Sequence, residues 1–250
     1  MRILPGVLKE LSKHVPAVLF QTVEWRELAE EIPKISRRLL QKEGYDELLQ
    51  QQRDLLSSYG IDITKERLKS ESKNLSRATG IKLLNLYFMQ LFSSSGIFLD
   101  LRSQHFEESS ERLTWNPSGL WSIFSEEFRI GLLKVYEGFY LEKDHLYYQG
   151  LEEIGLLDAH FSQEDKETLG KLFRAQFGAA LDQDMRFKLD HLKNSIIQMS
   201  DFMLRKKVKI SKDFLYLGIY LVTLYSSLEE SGEALPVKKI YLDVRQKFTV

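Results

Sequence analysis

Residues 81–106 read IKLLNLYFMQLFSSSGIFLDLRSQHF and, after a polar loop, residues 125–140 read SEEFRIGLLKVYEGFY. The first run opens as a helix, with Ile81, Leu84, Phe88 and Leu91 on one face and Leu83, Tyr87 and Phe92 beside it. Such a helix is buried over most of its circumference. It ends in the run from Ser93, and Ile97 to Leu101 continues as a short extended segment. Ser125 is a suitable N-cap for the second helix, and Glu126 and Glu127 occupy the first turn, where the helix dipole favours negative charge. Helix, extended segment, loop, helix is the frame from which the rest of the chain is read.

Outward from that frame, nearly every segment has helical period. Residues 7–20 and 24–43 carry apolar residues three and four apart, with Pro16 and Pro33 interrupting or kinking them. Gly44 stops the second of these, and Asp46 begins a third helix that ends at Tyr59 before Gly60. Asp62 or Thr64 is expected to cap the next helix, polar in its first half and apolar from Ile81 on. Downstream, Asp144 is expected to cap a helix that Gly155 ends. Ser162 and Asp165 form a capping-box pattern for a helix closed by Gly178. A long helix over 184–206 carries Phe187, Ile196, Met199 and Met203. Ser211 is expected to cap KDFLYLGIYLVTLYSSL, Gly232 follows it, and Pro236 separates a charged tail. Strand character is confined to Ile97–Leu101 and Arg112–Trp115, which are predicted to pair as a small hairpin. The fold class is therefore mainly α, with at most a small β-hairpin. Phe88 and Phe128 are expected to tie the two central helices together. Tyr136, Phe139, Tyr140, Tyr147 and Tyr148 fall at helical spacing and read as core.

Composition sets the bounds. The chain has 250 residues, enough for one substantial core, with 43% apolar and 28% charged residues as in ordinary globular proteins. A net charge of −1 gives no electrostatic reason to expect nucleic acid as the partner. The sequence has no cysteine, which excludes disulfides, thiolate metal sites and thiol catalysis. Pro5, Lys9, Glu10, Lys13 and His14 break the apolar run that a signal peptide needs, so a cytoplasmic protein is expected. Phe214–Leu228 is too short for the roughly 20 residues of a membrane span. The basic residues Arg205, Lys206, Lys207, Lys209 and Lys212 in front of it suit either a solvated turn before a buried helix or peripheral contact with an anionic lipid surface.

The ordered series Gly60-Ile61-Asp62, Gln90-Leu91-Phe92, Gly96-Ile97-Phe98 and Ile130-Gly131-Leu132-Leu133 resembles the catalytic half of the AarF/ABC1/UbiB kinase-like family. In that family a helix with Gln-Ile-Phe leads into Gly-Phe-Phe, then a His-Ala-Asp-Pro-His-Pro-Gly-Asn loop, then an Asp-Phe-Gly turn. Aligned without a gap, Leu99 stands at the first His, Leu101 at the catalytic-loop Asp, Ser103 at the second His and Phe106 at the metal-binding Asn. Asn116-Pro117-Ser118-Gly119 stands at the Asp-Phe-Gly turn. The resemblance covers about 60–240 and implies a kinase-like C-lobe over residues 61–250. Residues 1–60 form an N-terminal helical segment of the same globular unit. That segment has no counterpart of the phosphate-covering loop, the Lys or its acidic partner on which nucleotide binding depends.

The resemblance therefore implies a non-catalytic, pseudokinase-like binding or regulatory protein with a protein partner. It could act on a true family member or in quinone or lipid metabolism, with no cofactor, no bound metal and no assigned catalytic residue. Two other readings stay open. One is a weak metal-dependent phosphotransferase or ATPase using Asp100, His105 and Asn116. The other is a helical protein that binds an apolar ligand. Each candidate also has a structural role available: Asp100 can cap a turn or pair with Arg102, and Asn116–Gly119 is a turn by composition. Asp158 and His160 flank a turn between two helices. One His and one carboxylate make a poor metal site without further ligands.

Overall fold

The computed structural model describes residues 16–24, 44–66, 75–93, 96–109, 112–175 and 183–248, together with residues 26, 30, 31, 33, 34, 37, 38 and 68. Helices dominate. In chain order they are α1 (Ala17–Thr22), α2 (Tyr45–Ser57), α3 (Arg77–Phe92), α4 (Glu126–Tyr140), α5 (Asp144–Glu153), α6 (Gln163–Arg174), α7 (Leu189–Arg205), α8 (Lys212–Ser231) and α9 (Val237–Phe248). The strands are two or three residues long: β1 (Ile61–Ile63), β2 (Ile97–Phe98), β3 (Phe106–Glu108), β4 (Leu113–Trp115), β5 (Trp121–Ser122), β6 (Met185–Arg186) and β7 (Ala234–Leu235). The expected helix closure at Gly178, residues 7–15 and most of the polar stretch ahead of Leu75 lie outside the described residues.

The mainly α expectation holds, and the strands make three small sheets where one hairpin was expected. The two expected strands form but do not pair with each other. β4 closes an antiparallel hairpin with its sequence neighbour β3 and runs parallel to β1 on its other side. Ser109 and Arg112 close that hairpin, through a backbone bond of 2.9 Å and the Ser109 hydroxyl on the same carbonyl. A short loop costs little closure entropy, so the near partner wins over residues 97–101. β2 pairs instead with β5. The third sheet joins β6 to β7, so residues 185–186 are strand and the long helix begins only at Leu189.

α3 organises the core. Ser76, not Asp62 or Thr64, caps it: the Ser76 hydroxyl accepts the Thr79 N–H at 3.2 Å. Asp62 lies in β1 and pairs with Arg112. Along α3, Leu83, Leu84, Leu86, Tyr87, Phe88, Met89, Gln90 and Leu91 are all buried, as a helix apolar on every side must be. Phe88 meets Tyr136 and Tyr140 of α4 and Tyr241 of α9 edge to face, at ring separations of 5.3–6.3 Å. Phe128 is also buried, but its contact runs to Phe214 of α8 at 5.1 Å. Tyr136, Phe139, Tyr140 and Tyr147 are core, and Tyr148 packs partly buried against it.

α4 and α5 form a close antiparallel pair that depends on glycine. A Cβ at Gly138 would stand 2.2 Å from the Tyr147 backbone nitrogen, and one at Gly150 would stand 2.6 Å from the Gly131 carbonyl oxygen. These are backbone contacts that no side-chain rotation relieves. At the helix ends, Gly155 and Gly232 take positive φ where the sequence places stops. Ser162 and Asp165 make both bonds of the capping box. Asp144 is the first residue of α5 without bonding as a cap, and Ser211 holds the N-cap position of α8 without a side-chain bond.

Chemical denaturation tests this packing. Phe88→Ala should cost about 3–5 kcal/mol, the range for emptying a full aromatic site. Gly138→Ala should cost about 1–3 kcal/mol or more because the methyl meets fixed backbone. A loss below about 1 kcal/mol in both variants would contradict the packing of α3, α4 and α5.

Candidate functional site

Residues 96–101 are buried yet only two of them are strand. Irregular backbone inside a core must find partners for its N–H and C=O groups, because leaving one unmade costs about 1–3 kcal/mol. The partners are buried polar side chains drawn from three helices. Gln52 of α2 donates to the Gly96 carbonyl at 2.6 Å. Gln90 of α3 accepts the Phe98 N–H at 2.7 Å, and its amide donates to the Tyr220 hydroxyl at 2.8 Å. The Thr223 hydroxyl of α8 sits 2.8 Å from the Leu99 carbonyl and accepts the Leu101 N–H at 3.1 Å. Ser227, one turn on, donates to the Leu101 carbonyl at 2.7 Å. The Leu99 N–H goes to the Leu120 carbonyl at 2.9 Å.

Asp100 sits at the centre of this segment with 0% of its surface exposed. Arg102 holds it bidentately, Nε to Oδ1 at 2.8 Å and Nη2 to Oδ2 at 2.7 Å. His105 Nε2 lies 3.0 Å from Oδ2 and donates there when that nitrogen carries the proton. Burial pushes the Asp100 carboxyl up. The hydrogen bonds and charges of Arg102 and His105 outweigh that and hold it well below the usual carboxylate range.

This arrangement has a definite chemical meaning. A general base works with a pKa near the operating pH, and Asp100 is held far from it. Both carboxylate oxygens are engaged and the adjacent charge is a guanidinium, so the group offers no anionic ligand to a divalent cation. The alternative site therefore assembles only in part. Asp100 and His105 meet, but Asn116 turns away: its side-chain amide donates to the Glu66 carbonyl at 2.9 Å. Its backbone N–H does reach the His105 carbonyl at 2.9 Å, which ties the two loops together. Among the described residues, no three His, Cys, Asp or Glu side chains gather as a metal site. Asp158 accepts the backbone N–H of His160 at 2.8 Å, a turn-closing bond.

Three of the positions aligned with the family are apolar and packed. Leu99, Leu101 and Phe106 are each 0% exposed, and Phe106 stacks on Trp115 at 5.8 Å. α2 rests on both loops: Tyr45 donates to the Pro117 carbonyl at 2.6 Å and its ring meets Phe98 at 5.6 Å. A cavity beside Tyr87, Phe88 and Tyr225 measures about 30 Å³ and one beside Met199 and Phe214 about 20 Å³, room for roughly one water.

Among the described residues, no helix is long and apolar enough to cross a membrane. Phe214–Leu228 is part of the buried helix α8. Three of the basic residues ahead of it have protein partners: Lys206 pairs with Asp165, Lys209 with the Gln21 carbonyl and Lys212 with Glu31.

Gln52, Thr223 and Ser227 are absent from the residues that sequence reading singles out. A signal for the last two exists: they stand four apart on one face of an otherwise apolar helix. No protein-family model matches the chain, and no curated protein matches it.

The Asp100 cluster makes a pH-dependent contribution of known sign. A carboxyl depressed in the folded state stabilises above its unfolded value of about 3.9, and loses that contribution as pH falls through the folded value. Asp100→Asn leaves Arg102 largely buried without its counter-charge and should cost about 3–5 kcal/mol near neutral pH. The gap between the two proteins should narrow as pH drops below about 4. Equal stability at neutral pH would contradict the ion-pair geometry.

Proposed function

We propose that this chain is a non-catalytic, pseudokinase-like binding and regulatory protein related to the AarF/ABC1/UbiB group. It acts in the cytoplasm on a protein partner, with a catalytically intact relative in quinone or lipid metabolism as the first candidate. The observation that carries the reading is the saturated Asp100 carboxylate, the nearest acid to the aligned catalytic position, held by Arg102 and His105. Support also comes from the convergence of the two aligned segments: the His105 carbonyl bonds the Asn116 N–H, and β3 and β4 link them. A kinase lays ATP between such loops and a strand-built half carrying a phosphate-covering loop and a Lys. Here α2 lies against the loops instead, through Tyr45 and Gln52.

A nucleotide titration and a turnover assay test this together. Millimolar Mg·ATP should leave the thermal midpoint unchanged, since a ligand that does not bind the native state adds no stability. Saturable stabilisation lost in Asp100→Ala or Asn116→Ala would overturn the reading in favour of a phosphotransferase or ATPase. Added to a catalytically intact family member, the chain should change that enzyme's nucleotide turnover. No change at saturating chain would contradict the regulatory assignment.

A further inference from the structure

A cleft of about 580 Å³ opens on the surface between Lys34, Arg37, Arg38, Gly44, Glu47 and Trp121, none of them part of the Asp100 cluster. Its wall is preformed. The guanidinium carbon of Arg38 lies 4.5 Å from the centre of the Trp121 ring, a cation–π stack that fixes both groups. The indole is held from two further sides by glycines. A Cβ at Gly96 would stand 3.0 Å from its Cε3, and one at Gly44, which has φ +70°, would stand 2.9 Å from its Cζ2.

Among the described residues, two donors on the side chains of this wall lack an acceptor. Arg38 Nη1 and Trp121 Nε1 are both buried nitrogens without a hydrogen-bond partner. Buried N–H groups are almost always paired, and exceptions mark a water or ion to be accounted for. The two orphans belong to one stacked pair that lines a cleft large enough for a small ligand, and a small shift of that pair would present both N–H groups to an acceptor bound there. The charges set its sign. Among the described residues that line the cleft, Arg37 and Arg38 stand against the carboxylate of Glu47. Lys34 shares the Glu31 carboxylate with Lys212; burial pushes that carboxyl up, but Lys212 and Lys34 bring it down to about 2.

We propose that the Lys34–Arg37–Arg38–Trp121 cleft is an oxyanion site that takes a phosphate-bearing ligand. A tetrahedral oxyanion presents several acceptor oxygens at once. It can receive the Arg38 guanidinium and the Trp121 indole N–H together, while Arg37 supplies further charge-assisted donors. The site stands independently of any kinase-like descent, since none of its donors belongs to the aligned catalytic positions. The phosphate can belong to a free small molecule or to a lipid headgroup.

The test uses ¹⁵N-labelled full-length chain and the Trp121 indole N–H resonance, assigned by its loss in Trp121→Phe. Inorganic phosphate is titrated against chloride at equal ionic strength. Vesicles of phosphatidylcholine with and without phosphatidic acid form the second arm. The Trp121 resonance should move saturably with phosphate and not with chloride, while the buried Trp115 indole stays in place. Arg38→Gln, checked for folding by circular dichroism, should bind about tenfold more weakly or worse. A response only to phosphatidic acid vesicles would support the same chemistry with the headgroup as its source. A Trp121 resonance unmoved in both arms, or unchanged affinity in folded Arg38→Gln, overturns the proposal.

Discussion

The structure depends on running an irregular stretch of backbone, residues 96–101, through the middle of a helical core. Helices satisfy their own amides, so they can be buried freely; such a segment cannot. The Gly96, Leu99 and Leu101 carbonyls and the Phe98, Leu99 and Leu101 N–H groups are met by side chains or backbone brought to them, and the cost falls on helices that otherwise want apolar residues. Gln52, Gln90, Thr223 and Ser227 are all nearly inaccessible to solvent, and each bonds this segment. The Asp100 cluster closes the account by engaging the one charged side chain that the segment buries. α2, α3 and α8 are thus fastened to a common strap, which places β2 against β5 and sets the loops on either side.

The same constraint decides the chemistry. A loop that serves as a covalent and hydrogen-bonded spine has the polar groups of those bonds committed to the fold. Leu101 and Phe106 stand where the resemblance expects an acid and an amide, and both are packed into the core that the strap creates. Asp100 is charged, next to the position where the resemblance expects an acid, and paired with Arg102 and His105. The cationic cleft draws its charges from other residues, but its Trp121 wall pairs with Phe98 and packs on Gly96, so the strap also sets the wall of the cleft.

Much of this was legible in the sequence. Apolar spacing located the buried helices, and local capping chemistry located the starts of α4 and α6 and the stops at Gly155 and Gly232. Asp100 pairing with Arg102 was also open to reading, because two residues apart is within reach in extended backbone. Pairing between distant strands was not. Whether β4 joins residues 97–101 or 106–108 depends on loop closure and on where α8 draws the backbone, and neither leaves a periodic mark. The cap at Ser76 was hidden because Asp62 and Thr64 offer the same side-chain chemistry upstream. Residues 185–186 carry a helical pattern, yet their partner at 234–235 takes them into a sheet. Asn116 shows the limit most clearly: its type suits metal coordination, and only the fold reveals that its amide is spent on Glu66.

Native-state hydrogen exchange at the amides of Phe98, Leu99 and Leu101 tests the central claim most directly. If residues 96–101 are a strap fully bonded into the core, these amides exchange only when the whole molecule unfolds, alongside the slowest amides of α3 and α8. Exchange through a low-energy local opening, at rates like those of the exposed loops, would show a segment free to move as a working catalytic loop does, and would contradict the account.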